Sequence, residues 1–310
     1  MDQLEIEDGT RVTMDGRELV FGETIFTPRS SSDLVSDPSG LKQRLSDEGY
    51  LILRGFHDPE DIRRARSEIL KYMASENLLD TSHPLEEAIP SETAGPHRFP
   101  DRQVKQLSGF LDVVGGTRTM SFFDQILGGP ALTLDHKWLR ATRPGGNSNA
   151  HCDGVYMGAG TKELYTMWTA LNDITLEMGP LCFCLESHKH ERLKQTYGHS
   201  DAHDDMIEGW FSTDPHDVAE TLGVQWAATP FQAGDVVIFG MFMLHGSLDN
   251  RSDRYRLSSD TRYQLASESI DARHMGEDPD VIPKADLQDR KNINELRAEW
   301  SLSPGTPASR

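Results

Sequence analysis

The sequence predicts a mainly β protein with flanking α-helices and a jelly-roll core, and three observations carry that expectation. From residue 132 onward, short apolar runs with period-2 alternation succeed one another between turn signals, the pattern of half-buried strands. No crossover-length helical pattern separates successive strands, which argues for an antiparallel double sheet or barrel over a parallel βαβ sheet. The clear amphipathic helical patterns come before residue 130, where a few helices can cover a sheet from outside.

Residues 1–40 are polar and Ser-rich, with turn signals at Asp15-Gly16 and Asp37-Pro38, and read as an N-terminal arm or short hairpin. Residues 41–48 give a short helix with Leu41 and Leu45 on one face and Gly49 where helices end. YLILRGF, residues 50–56, reads as a strand. Asp58-Pro59-Glu60-Asp61 is a helix start: an Asp cap, Pro in the first turn, and acids where the helix dipole favours them. Ile62, Ala65, Ile69 and Met73 then form one apolar stripe that packs on the sheet. Residues 80–105 form a loop rich in Pro, His and charge, with His83 and His97 solvated, and a second amphipathic helix carries Met120, Phe123 and Leu127 to Gly128-Gly129.

The strand region opens with residues 136–143 and the turn Pro144-Gly-Gly146, followed by the strand that carries His151. Residues 164–171 alternate as a strand with two different faces; the turn Met178-Gly-Pro180 leads to residues 181–185, and residues 235–244 and 255–265 complete the set. A polar insert at 187–226 holds His188, His190, His199, His203 and His216 and reads as an acidic, flexible lid, with a second metal site as the competing reading. The expected organisation is one domain over residues 41–275 and a polar C-terminal extension over 276–310. In that extension, 284–300 is a polar helix and 304–310 is disordered.

Lys plus Arg number 31 against 50 for Asp plus Glu, a net charge of −19. Such a surface repels phosphate backbones and anionic membranes, so neither nucleic acid nor membrane is an expected partner. No signal-peptide pattern opens the chain and no apolar run approaches the roughly 18 residues of a membrane span, so the expectation is a soluble, cytoplasmic protein; its oligomeric state is open. Cys152, Cys182 and Cys184 are too few for a disulfide framework in a chain this long. The Cys182-x-Cys184 spacing suits either half a metal site or buried small hydrophobes on one strand face, and no second pair completes a site.

His151-Cys152-Asp153 places two metal-capable side chains two residues apart, hence on one face if the strand continues. His245 ends the apolar run 235–244, where a buried polar side chain needs a partner, either a metal or a backbone group. Two imidazoles and a carboxylate cover one face of an octahedral Fe(II) and leave positions open, the donor set of non-haem iron oxygenases. Eleven residues after His245, Arg256 and Ser258 share a strand face and can grip one carboxylate, the guanidinium fork bidentate and the hydroxyl adding a bond. Arg256 equally suits an ordinary salt bridge, and Arg251, Arg254 and Arg262 crowd the same stretch.

On these features the chain resembles the phytanoyl-CoA dioxygenase-like branch of the Fe(II)/2-oxoglutarate-dependent oxygenases. The resemblance rests on GYLILRGFHDPEDI, RPGGNSNAHCD, MGPLCFCLESHK, FQAGDVVIF and HGSLDNRSDRYRLSSDTRYQ, in that order, from about Gly49 to Leu265. It implies a double-stranded β-helix of jelly-roll, cupin-like topology. It also implies iron on His151, Asp153 and His245, with Arg256 on the distal carboxylate of the cosubstrate 2-oxoglutarate; O2 is the second cosubstrate. The expected reaction is hydroxylation or a related oxidation of a small-molecule substrate, with release of succinate and CO2. The alternatives are a metal-binding jelly-roll that holds a small ligand without turnover, or one that oxidises without a 2-oxo acid. Asp153 favours hydroxylation over halogenation, because halogenating relatives keep a small residue there to admit halide. Two loops depart from the family pattern, Glu177-Met-Gly-Pro-Leu181 and Leu185-Glu-Ser-His188, and Cys152 stands where Gln often separates the ligands. Lys137, Trp168 and Tyr156 are further candidates for contact with cosubstrate or substrate, packing being the competing role for Trp168.

Overall fold

A computed structural model describes residues 6–95, 97–276, 291–305 and 307. The first turn signal makes a hairpin: β1 (Arg11–Met14) and β2 (Arg17–Val20) pair across Asp15-Gly16, both in the left-handed region that tight hairpins require. Its apolar side, Val12, Met14 and Leu19, is buried against Cys182, Cys184 and Trp226. β3 (Ile25–Phe26) follows.

The expected caps form. The Asp37 side chain accepts from Gly40 N to start α1 (Pro38–Glu48), and Gly49, at φ 80°, ends it before β4 (Tyr50–Leu53). Asp58 likewise caps α2 (Pro59–Ser75), and the stripe Ile62, Ala65, Ile69 and Met73 is buried. Beyond the loop and α3 (Asp101–Val104), the second amphipathic segment is two helices rather than one, α4 (Ser108–Gly115) and α5 (Thr117–Leu127). They part at Gly116, where a Cβ would lie 2.1 Å from the Asp112 carbonyl.

The remaining strands are β5 (Ala131–Thr133), β6 (Trp138–Thr142), β7 (Ser148–His151), β8 (Tyr165–Ala170), β9 (Leu181–Leu185), β10 (Gln225–Ala228), β11 (Val236–Gly240), β12 (His245–Ser247) and β13 (Arg256–Leu265). One sheet runs β3-β10-β9-β12-β7 and the other β4-β11-β8-β13-β5, with β6 also paired to β13. Apart from the short parallel pairing of β3 with β10, every ladder among the described residues is antiparallel, giving the expected jelly-roll. Trp168, Ile52, Val237 and Phe239 of one sheet meet Phe183, Leu181 and Ala227 of the other in the space between. The helices cover the outer face of the six-stranded sheet, with Phe123 of α5 stacked on Tyr263 of β13 at 3.9 Å between ring centroids.

The insert at 187–226 has an apolar core beneath its polar surface. α6 (Glu191–Gln195), α7 (Ala202–Asp205) and α8 (Pro215–Leu222) bury Leu193, Ala202 and Val218, and Tyr197 and Phe211 join them. Ile293 and Trp300, at the two ends of α9 (Ile293–Glu299), pack into the same cluster. Residues 284–290 of the expected C-terminal helix, and 306 and 308–310 of the expected tail, lie outside the described residues. Gly305 is held by Asn294, and Pro307 bridges Ile207. No described helix is long and apolar enough to cross a membrane.

Candidate active site

β7 and β12 are antiparallel neighbours, and their register sets His245 directly opposite His151 with ring centroids 4.3 Å apart. Each ring is oriented from behind: His151 Nδ1–H donates to the Asn149 carbonyl (2.7 Å) and His245 Nδ1–H to the Met243 carbonyl (3.0 Å). Each Nε2 therefore keeps its lone pair for a ligand.

Asp153 reaches the same point by a route the alternation argument does not contain. The strand ends at His151, Cys152 is extended, and Asp153 opens a 3₁₀ turn, residues 153–155, pinned by Gly154 N–H on the Met241 carbonyl (2.9 Å). The shared strand face expected for His151 and Asp153 is thus corrected to a strand end followed by a turn. Cys152 does point elsewhere, with its thiol 3.6 Å from the Phe242 carbonyl in the apolar cluster. Ligand atoms of His151, Asp153 and His245 all lie within 4.8 Å of one another, and His245 Nε2 is 4.0 Å from Asp153 Oδ1.

The opposite sheet fixes the carboxylate. Arg262 Nη2 of β13 donates to Asp153 Oδ1 (2.7 Å) and the Thr166 hydroxyl of β8 donates to Oδ2. Burial by itself would raise the Asp153 pKa, but Arg262, the two histidines and Thr166 outweigh it and hold the carboxyl well below its usual range. Burial first, and His245 next, push His151 down to about 3. A neutral His151 beside an ionised Asp153 is the protonation state a divalent metal needs of that pair.

β13 turns Arg256, Ser258, Asp260 and Arg262 to the space between the sheets, while Leu257 and Tyr263 pack on the helices. Arg256 donates to the Gly179 carbonyl and, at 2.8 Å, to the Thr142 hydroxyl. Its Nε and the Ser258 hydroxyl are buried without a partner. Burial pulls the Arg256 pKa down to about 10, with Asp260 opposing. Neighbouring arginines are committed: Arg262 to Asp153, Arg254 to Asp253, and Arg251 to the Arg11 carbonyl. Among the described residues Arg256 has no carboxylate within ion-pair distance, so a guanidinium with an unspent donor stands beside an unspent hydroxyl. A carboxylate supplied from outside meets both needs.

Other candidates fall differently. Lys137 precedes β6 and turns away from the face that carries Trp138 and Arg140; its ammonium donates to Thr133 Oγ1 (2.8 Å) and the Leu134 carbonyl. These bonds brace the loop before β6. Trp168 lies on the inward face opposite Asp260 but packs on Phe231 at 4.8 Å. Tyr156 does lie against His151, edge to face at 5.7 Å. Cys182 and Cys184 are buried in the apolar cluster, and the described residues hold no metal-capable cluster besides the triad. Sequence reasoning missed Arg140, Thr166 and Asp260 and saw Arg262 only as crowding; continuing the period-2 count from Arg256 along β13 marks Asp260 and Arg262.

Comparison with known proteins agrees with this geometry. The family model described as Phytanoyl-CoA dioxygenase (PhyH) matches residues 45–258, well over half of the chain. A 1-deoxypentalenic acid 11-beta-hydroxylase of Streptomyces exfoliatus is 27% identical over 251 residues, covering 76% of this chain and 83% of that protein. The protein of the same name from Streptomyces arenae is 25% identical over 257 residues, with the same coverage. Among solved structures, the epimerase SnoN in complex with Fe3+, alpha ketoglutarate and nogalamycin RO has a TM-score of 0.56 at 16% identity, over 89% of this chain and 96% of that one. EctD from S. alaskensis with 2-oxoglutarate and 5-hydroxyectoine has a TM-score of 0.53 at 15% identity, over 94% and 100%. These structures share the jelly-roll core described above. The chain belongs to the phytanoyl-CoA dioxygenase (PhyH) family and is an Fe(II)/2-oxoglutarate-dependent oxygenase.

Proposed function

We propose that His151, Asp153 and His245 hold the Fe(II), that Arg256 with Ser258 grips the far carboxylate of 2-oxoglutarate, and that the enzyme hydroxylates a C–H bond of a small molecule. The observation that carries the assignment is the convergence of two imidazole Nε2 atoms and one carboxylate within 4.8 Å, each imidazole oriented by a backbone carbonyl. The partnerless Arg256 Nε and Ser258 Oγ support the cosubstrate assignment. Bound there, iron with 2-oxoglutarate and O2 supplies the oxidant that turns C–H into C–OH, with succinate and CO2 as coproducts.

The chain's own residues do the positioning. Arg262 and Thr166 hold both oxygens of Asp153, fixing which lone pair faces the metal. The guanidinium of Arg256, 3% exposed, binds an anion in a setting where a charge-assisted bond is not competed away by water. We assign the insert to the substrate side of a domain spanning 41–275, supported by Phe211 N–H on the Ala150 carbonyl of β7 (2.6 Å). Iron-reconstituted protein is expected to release succinate from 2-oxoglutarate in the presence of O2. D153A and the shape-conserving D153N are expected to lose bound iron and succinate release while circular dichroism is unchanged. A D153N protein that keeps full iron and full turnover would falsify the assignment.

A further inference from the structure

The inward wall facing the triad carries more positive charge than iron and 2-oxoglutarate account for. β6 pairs with β13 so that Arg140 lies opposite Ser258 and Trp138 opposite Asp260, placing Arg140 on the same inward face as Arg256 and Arg262. Asp260 accepts from Arg140 Nε, and Asp153 accepts from Arg262 Nη2. Arg256 has a carbonyl and a hydroxyl but no carboxylate. Three guanidinium groups therefore stand against two carboxylates. The two charges of Fe(II) and the two of 2-oxoglutarate cancel each other, so the loaded site keeps one unbalanced positive charge, inside a chain whose net charge is −19.

That excess is presented at Arg140. Among the described residues no protein acceptor meets its two Nη groups, and 40% of its side chain is open, against 3% for Arg262. Its charge acts on His151, Tyr156 and Arg256, so it stands between the triad and the carboxylate clamp. Aromatic surface adjoins it: Tyr156 against His151, and Trp138 with Arg262 4.2 Å over its ring on one side and His274 at 5.4 Å on another. A guanidinium anchored at Nε and open at its Nη groups, set in an aromatic wall, suits a carboxylate carried on an apolar body.

We propose that Arg140 is a substrate-recognition residue and that the primary substrate is a small organic acid, its carboxylate docked on the Arg140 Nη groups and its apolar body lying over the triad. This rests on the iron and 2-oxoglutarate assignment above. In the reaction, one atom of O2 enters the new C–OH bond and the other enters succinate. The C1 carboxylate of 2-oxoglutarate leaves as CO2, and the substrate's own carboxylate is unchanged.

The test uses anaerobic Fe(II)-loaded protein with saturating 2-oxoglutarate, followed through the visible charge-transfer band of the iron complex. Hexanoate, octanoate, cyclohexanecarboxylate and decalin-2-carboxylate are titrated, each beside its methyl ester. At least one acid is expected to bind about tenfold to a hundredfold more tightly than its ester. R140L is expected to lose that preference and R140K to keep part of it. A panel in which no acid outbinds its ester overturns the proposal, as does an acid that displaces 2-oxoglutarate instead of binding beside it. The acid–ester comparison is made in the unaltered protein and so stands even if R140L does not fold. Failure of 2-oxoglutarate alone to produce the band, seen before any acid is added, overturns the iron assignment and this proposal with it.

Discussion

At the scale of single residues, the site depends on a buried ion pair that leaves no room for a neutral substitute. Arg262 and Asp153 are 2.7 Å apart with side chains 3% and 1% exposed, so removing the guanidinium strands a buried carboxylate. In iron-free protein R262Q is expected to lose about 3–5 kcal/mol of stability. With iron bound the loss grows, because a variant that binds the metal more weakly also forfeits part of the stability the metal adds. Iron affinity is expected to fall about 10- to 100-fold, since Asp153 is then oriented by Thr166 alone. Equal destabilisation with and without iron, measured by denaturant titration, would sink this account. Much of this scale was legible in the sequence: His151, Asp153 and His245 converge, and Arg256 is a buried arginine without an acid partner among the described residues. Arg140 and Arg262 were not singled out, because charge type does not say which way a side chain faces. Alternation from Arg256 along β13 reaches Arg262, whereas only the pairing of β6 with β13 puts Arg140 on the inward surface.

At the scale of elements, turns do work that period-2 counting cannot foresee. Asp153 is delivered by a strand end and a 3₁₀ turn whose position is set by Met241, 88 residues later in the chain, a tertiary contact with no local signature. The insert hid its core for a related reason: Leu193, Tyr197, Phe211 and Val218 are spread among charged residues with no sustained period. The turn at Gly179 links this level to the cosubstrate. Gly179 sits at φ 70°, a Cβ there would lie 2.3 Å from the Leu248 carbonyl, and its own carbonyl accepts from Arg256. Both a left-handed backbone and fixed backbone atoms oppose any side chain. G179A is expected to destabilise the fold by about 1–3 kcal/mol and to raise KM for 2-oxoglutarate several-fold more than it lowers kcat. A G179A enzyme with unchanged KM would show that the turn does not orient Arg256.

At the scale of the whole molecule, the site is a seam between the two sheets. His151 and His245 come from the five-stranded sheet, whereas Arg262 and Thr166, which hold Asp153, come from the six-stranded one. Arg256 crosses the same gap to the turn before β9. A metal and an anion that bind across the seam bind the folded arrangement and not the unfolded chain, so each adds to stability by mass action. At a hundredfold excess over its dissociation constant, a ligand contributes about 2.7 kcal/mol, enough to raise Tm by several degrees in a domain of this size. Anaerobic Fe(II) is expected to give one increment in Tm and 2-oxoglutarate a second that appears only after the metal. D153N should abolish both increments, because without the metal there is nothing for the 2-oxo group to chelate. R256L should abolish the second and leave the first, since its side chain touches none of the three proposed ligands. A second increment that survives R256L would place the cosubstrate's far carboxylate elsewhere on the wall, with Arg140 the nearest open guanidinium to receive it.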